Sequence, residues 1–418
     1  MKKTLFSIIL LSLLLVFFSC YPSNDSTTPP TGDNNIGSEN QGNGKPAEIV
    51  YSRDLSIWPK QDGTCYVANL GYCKDSVIVI PPASPDGAKV TAVDNFRVSD
   101  YPFVTQIILP DTITQIGAIF TGTEDFNFNE YGGACYIGTH DNPYYALIRP
   151  KSTEITALEI HPDTKIISGC AFVQCTSLTK ISIPEGVISI CHSAFRECES
   201  LTSIELPDSL VHLGDATFYG CNSLTEIVIP DKVDSIGDGT FKFCSKLSKV
   251  TIGSSVSDIG GLAFYKCIGL TEIVIPNNVQ SIGCEAFYLC SNLERVVIGN
   301  GVKRIFNEAF MACTDLVDVT FGSSLERIDV SAFKNCYALT VVRLPDSVKR
   351  IDAYAFSGCS SLHTVYLGSG LEKIQQKAFS SLNKITDVYF PRTKEEYYEI
   401  VEYDNFVGAT KHFNYSAK

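Results

Sequence analysis

Histidine is scarce in this 418-residue chain, and so is every arrangement through which histidine does chemistry. The six (His140, His161, His192, His212, His363 and His412) are scattered, and only His192 and His212 lie close together. No H-E-x-x-H, G-x-S-x-G, P-loop or dinucleotide fingerprint is present. These absences argue against an enzyme: no catalytic residue, metal-ligand set or cofactor is expected. Positive charge is also in short supply. Lys and Arg number 33 against 46 Asp and Glu, a net charge of −13. General nucleic-acid binding needs a basic footprint and is disfavoured by this balance. The longest apolar run, Leu5–Phe18, is too short to span a bilayer comfortably. It follows the basic start Met1-Lys-Lys-Thr and reads as a signal-peptide core.

What the chain has is a period. Phenylalanine recurs at Phe172, Phe195, Phe218, Phe241, Phe264, Phe287, Phe310, Phe333, Phe356 and Phe379, always 23 residues apart. Cysteine follows three positions later, from Cys175 to Cys359, and only the last copy breaks, with Leu382. A fixed period in this range marks a solenoid, in which one coil cannot bury its own apolar face and stacked coils share a core. Within one unit, Leu201-x-x-Ile204-x-Leu206 puts two apolar side chains on the inner face of a strand, while Ser203 and Glu205 point out. Pro207 ends the strand, and an apolar pair Leu210/Leu213 follows. Gly214, Gly237, Gly260 and Gly283 are expected to allow a tight corner. The A-F-x-x-C segment is expected to turn back as a short helical or 3₁₀ piece. Buried free cysteine behaves as a small hydrophobe, so the ladder cysteines are core fillers, and no C-x-x-C zinc pattern competes with that role.

The pattern A-F-x-x-C-x-S-L-T-x-I-x-I-P-x-x-V-x-x-I-G resembles the BspA-like leucine-rich repeat family over about 157–391. The resemblance implies a right-handed leucine-rich repeat solenoid: stacked short parallel β-strands, β-rich, on secreted or surface-anchored bacterial proteins. It implies adhesion or protein binding, not catalysis, and transfers no binding residue by position.

In chain order, residues 1–19 read as a lipoprotein signal peptide. Phe17-Phe18-Ser19-Cys20 resembles a bacterial lipobox, which makes Cys20 the lipid-attachment residue. Residues 20–46, rich in Ser, Thr, Asn, Gly and Pro, read as a flexible tether. Residues 47–100 read as an N-terminal cap, with Cys65 and Cys73 facing each other across a hairpin as a possible disulfide. The solenoid is placed at 101–391: an irregular coil with an insertion over about 104–156, then regular repeats over 157–391. The insertion is either a functional loop or a plain bulge. Residues 392–418 read as a C-terminal cap, with a short helix over 393–400.

Residues 23 apart stack in columns, so surface chemistry is read column by column. The central strand column, Val228, Thr251, Val274, Val297, Thr320, Arg343 and Tyr366, makes a partly apolar strip. It is either a binding face or an effect of β-propensity. A second column, Arg304, Arg327, Arg350 and Lys373, is either an anion-binding strip or an edge neutralised by Glu326, Glu372, Asp329 and Asp352. The expectation is an exported lipoprotein, on the outer membrane or cell surface. It is expected to be a monomer that binds a protein or glycan ligand and meets the membrane only through its lipid. The main role expected is adhesion or protein–protein interaction; the alternative is glycan capture for nutrition.

Overall fold

A regular coil consists of a long strand, a short strand and a turn run, each stacked on its equivalents. The computed structural model describes residues 49–120, 126–382, 384–402 and 405–415. The signal-like segment, Cys20 and the tether lie outside the described residues. The coils belong to the compact unit Val50–Lys418.

On the long-strand face, Glu272–Ile275 pairs in parallel with Arg295–Ile298, which pairs with Asp318–Thr320. Burial alternates along Glu272–Ile275, so Ile273 and Ile275 face the core and Val274 faces solvent. The short strands, from Ser235–Ile236 to Lys373–Ile374, form one seven-stranded parallel sheet. The fold is thus the expected β-rich leucine-rich repeat solenoid.

The A-F-x-x-C run is not the expected helical piece. It is a pair of turns set between two left-handed residues, with φ of +55° at Glu285 and +59° at Leu289, repeated at +57° and +60° at Glu308 and Ala312. The N–H groups of Tyr288 and Cys290 donate within the coil to Glu285 and Phe287 carbonyls. Those of Glu285, Phe287 and Leu289 donate instead to Asn307, Ala309 and Met311 carbonyls of the next coil, at 2.9, 2.7 and 2.9 Å. A helix would close every bond inside the coil. The left-handed residues turn alternate N–H groups outward, so this run also ties coil to coil.

The ladder phenylalanines stack with centroids 4.9–5.6 Å apart and planes within 14° of parallel. The ladder cysteines are fully buried free thiols. From Cys198 to Cys359 each thiol donates to the phenylalanine carbonyl one coil back, as Cys267 does to Phe241 at 3.1 Å. Cysteine therefore fills the core and gives a buried carbonyl a weak S–H partner. The corner glycines answer a different need from the one expected. Gly283 has no left-handed φ, but a Cβ there would come within 2.6 Å of the Gly260 backbone. At these four corners the close approach of the preceding coil, not the turn itself, is what a side chain would meet.

Coil-like pairing begins inside the stretch expected as a cap: Val77–Val79 pairs in parallel with Gln106–Ile108, and Val90–Val93 with Gln115–Ile116. The hairpin there is not the one expected between Cys65 and Cys73. Cys65–Asn69 pairs antiparallel with Ser56–Pro59, because Gly63 at φ +82° closes a tight turn between Lys60 and Thr64. Cys65 and Cys73 are both buried free thiols, and Cys73 Sγ donates to Asp75 at 3.5 Å. In the insertion, Asn129–Tyr131, Ala134–Ile137 and Ala146–Pro150 form an antiparallel meander that joins, through Ile166–Ile167, a separate six-stranded sheet with the short strands Ser189–Ile190 and His212–Leu213.

At the other end Thr393 caps the helix α1 (Lys394–Ile400) in a capping box with Glu396. Thr410–His412 adds a parallel strand to Asp387–Tyr389, and Phe406 continues the ring stack 4.6 Å from Phe379. Buried Asn405 replaces the missing next coil. Its Oδ1 accepts the Phe379 N–H at 3.2 Å, and its amide donates to the Gln375 and Glu402 carbonyls.

Candidate functional site

The central strand column is aligned as the period requires. Val228 is paired with Thr251, Val274 with Val297 and then Thr320, and Arg343 with Tyr366. Val228, Val274 and Val297 are 59%, 60% and 41% exposed. The ladder opens between Thr251 and Val274 into a depression of about 560 Å³ bordered by Pro276, Asn277 and Asn278. Charged columns flank the strip in pairs such as Arg295–Glu272 at 3.1 Å and Lys249–Glu226 at 3.8 Å.

The column does not end at Tyr366. The Arg343 guanidinium lies 3.9 Å over the Tyr366 ring, Tyr366 stacks on Tyr389 at 4.6 Å, and Tyr389 on His412 at 4.4 Å. His412 Nε2 is 2.8 Å from Asp387, and this contact holds the Asp387 carboxyl below its ordinary pKa. His412 escaped the sequence expectation although it lies one further period beyond Tyr389; the step across the C-terminal segment was the available signal. At the opposite end Glu159 bridges to Ser182, accepts the Tyr131 hydroxyl at 2.7 Å, and lies beside stacked Tyr144 and His161. The insertion supplies Tyr131 and Tyr144, so it contributes aromatics to the strand face.

The second column is also brought together: Arg304, Arg327, Arg350 and Lys373 pair successively across the short-strand sheet. Each is 38–43% exposed at the side chain and each meets a carboxylate. Arg304 reaches Asp329 at 2.8 Å, Arg327 reaches Asp329 and Asp352, Arg350 reaches Asp352 at 2.5 Å, and Lys373 reaches Glu402 at 2.7 Å. Lys349 and Glu326 pair alongside at 3.2 Å.

His192 and His212 meet in a cleft of about 610 Å³ with Lys60, Asp94, Asp215 and Asp234. Burial lowers the His192 pKa and raises that of Asp215. His212 Nδ1 lies 3.9 Å from Asp234. The neighbouring Cys191 thiol accepts the Ile116 N–H at 3.3 Å, and burial raises its pKa. Among the described residues no thiol–imidazole bond or cluster able to hold a metal ion occurs here.

A third column lies on the turn face and was not anticipated. One position past the ladder phenylalanine come Tyr219, Tyr265 and Tyr288, with Phe243 beside them. The period would have exposed it had that position been followed.

Stacked parallel coils with an inward aromatic ladder define a leucine-rich repeat solenoid. The family profile of the BspA type leucine rich repeat region matches six copies over residues 165–294 and 280–403, and the chain belongs to that family. Solved structures to which the chain is similar include the following. A leucine-rich repeat protein from Bacteroides ovatus ATCC 8483 is 23% identical, with coverage of 88% of this chain and 100% of that one and a TM-score of 0.45. A leucine rich cell surface protein from Faecalibacterium prausnitzii A2-165 is 22% identical, with coverage of 85% and 99% and a TM-score of 0.32. The pneumococcal vaccine antigen PcpA is 15% identical, with coverage of 89% and 99% and a TM-score of 0.39. No curated protein matches. Among the described residues, no helix is long and apolar enough to cross a membrane.

Proposed function

We propose that this chain is a binding protein, not an enzyme, and that it engages a protein partner through the strand face for adhesion or interaction at the cell surface. The observation that carries this reading is the exposure of Val228, Val274 and Val297 in the middle of a strand column flanked by charge. A core of exposed apolar side chains with a polar rim is the composition of a protein-binding patch. The aromatic groups at both ends supply anchors of the type that dominate binding energy. The lipobox-like Phe17-Phe18-Ser19-Cys20 and the polar stretch behind it support export and a lipid tether at Cys20. In this reading the protein is a monomer with no nucleic-acid partner.

The test presents the unit Val50–Lys418 to arrays of matrix proteins and glycans, beside Val274→Asp and an Arg304/Arg327/Arg350 charge reversal. Protein binding lost with Val274→Asp supports the strand face. Glycan binding lost only on charge reversal moves the site to the basic column, and silence on both arrays contradicts a binding role. Cys20→Ser in the exporting cell tests the tether; release into the medium is expected.

A further inference from the structure

The turn face combines aromatic rings and cations in a way the coil does not require. Tyr219, Phe243, Tyr265 and Tyr288 are each part-exposed and form a continuous ladder with centroids 5.3, 5.5 and 5.3 Å apart. The Lys242 ammonium lies 4.7 Å from the Tyr265 ring centre, and Lys266 lies 5.6 and 5.5 Å from Phe243 and Tyr265. The position of Phe243 is left-handed in every coil, at φ +66° here, and elsewhere ranges from Gly220, Ala312 and Gly358 to Glu197, Leu289 and Lys266. A bulky ring is disfavoured at such φ, and the fold accepts far smaller residues in its place. Likewise the tyrosine position takes Val173 and Ser357 in other coils. These rings are therefore not packing requirements.

Lys266 differs from the cations of the short-strand column. There every cation meets a carboxylate, whereas no carboxylate lies within ion-pair distance of Lys266 among the described residues. A row of part-exposed rings, edge-to-face at Tyr219–Phe243 and Phe243–Tyr265 and stacked at Tyr265–Tyr288, with two ammonium groups beside it, fits a linear ligand whose units have apolar faces and carry negative charge. We propose that this turn-face ladder is a binding site for an acidic polysaccharide, with sugar rings against the aromatics and carboxylate or sulfate groups on Lys242 and Lys266. This site is separate from the strand face and stands whether or not the strand face binds protein. Single-stranded nucleic acid also stacks on aromatics, and single-stranded DNA is therefore one arm of the test.

The test is affinity electrophoresis of the full chain in gels containing polygalacturonate, heparin, neutral dextran or single-stranded DNA. The variants are Lys242→Gln/Lys266→Gln, Phe243→Ala/Tyr265→Ala, and Val274→Asp as a strand-face control, each checked for an unchanged melting curve. Tyr265→Leu replaces any ring variant that melts early. Retardation by an acidic polysaccharide is expected, weakened about tenfold by the charge pair and by the ring pair, the loss expected of a binding hot spot. Val274→Asp should leave it unchanged. No retardation, equal retardation by dextran, stronger retardation by DNA, or retardation that survives either pair overturns the proposal.

Discussion

Arg327 holds two buried carboxylates at once, Asp329 of its own coil at 2.8 Å and Asp352 of the next at 2.6 Å. Both aspartates are only 2% exposed at the side chain and occupy the column that is glycine at Gly260 and Gly283. The arginine column and the aspartate column thus form one alternating chain, Arg304–Asp329–Arg327–Asp352–Arg350. Hydrogen bonding to Asp352 holds the Arg327 pKa above its ordinary value.

Removing the shared cation leaves each buried carboxylate with one arginine in place of two, Asp329 with Arg304 and Asp352 with Arg350. Arg327→Gln is expected to destabilise the unit by about 2–3 kcal/mol, below the cost of breaking a fully buried pair because the guanidinium is partly exposed. Urea unfolding measures it. An unchanged midpoint would mean that the aspartates are solvated and the chain of pairs carries no stability.

The thiol ladder makes the fold sensitive to alkali. Burial raises the folded thiol pKa, to about 12 at Cys175 and Cys290. An unfolded thiol ionises near its ordinary 9.0. Below that pH both states keep the proton. Above it the unfolded chain loses protons that the folded chain retains, so stability falls as pH rises toward the folded pKa. Each thiol adds a slope of up to about 1.4 kcal/mol per pH unit in that window. Urea midpoints at pH 8, 9 and 10 under reducing conditions should fall, and less steeply in Cys244→Ala/Cys267→Ala; identical slopes would refute the assignment.

The S–H donor has its own signature. Cys267→Ala removes both sulfur volume and the second donor to the Phe241 carbonyl, which also accepts the Cys244 N–H, an expected loss of about 1–2 kcal/mol. Cys267→Val restores volume without a donor and adds β-branching against the packed ladder, an expected loss of about 1–3 kcal/mol. A valine variant as stable as the parent would show that volume alone selects cysteine.

The C-terminal end depends on one side chain. Asn405→Ala leaves the Phe379 N–H and the Gln375 carbonyl without their caps, an expected cost of about 1–3 kcal/mol. Hydrogen exchange should quicken in 374–382 and remain unchanged near Phe264. Uniform quickening along the solenoid would contradict local capping.

Much of this was legible from the period, because residues 23 apart must stack once the ring and strand positions are fixed. The basic and strand columns followed by counting. The left-handed pair in the turn run was only partly legible: Gly220, Gly239 and Gly358 mark its columns in three coils, but Glu285, Leu289, Glu308 and Ala312 carry no such signal, and hydrogen bonds to the next coil hold the conformation there. The N-terminal hairpin had a local signal in Asp62-Gly63, overshadowed by the spacing of Cys65 and Cys73. The cleft around His192 and His212 depends on where the N-terminal strands pack, which no spacing within the repeats encodes. Columns on the turn face were as countable as the others, since Tyr219, Tyr265 and Tyr288 each lie one position past a ladder phenylalanine.

The most direct test of a strand-face binding role is hydroxyl-radical footprinting of Val50–Lys418 alone and with a protein ligand found on the array. Protection is expected at Val228, Val274, Val297 and Tyr366, with Tyr265 and Tyr288 unchanged. Protection confined to the turn face or the basic column, with the valines as reactive as in the free protein, would contradict the account.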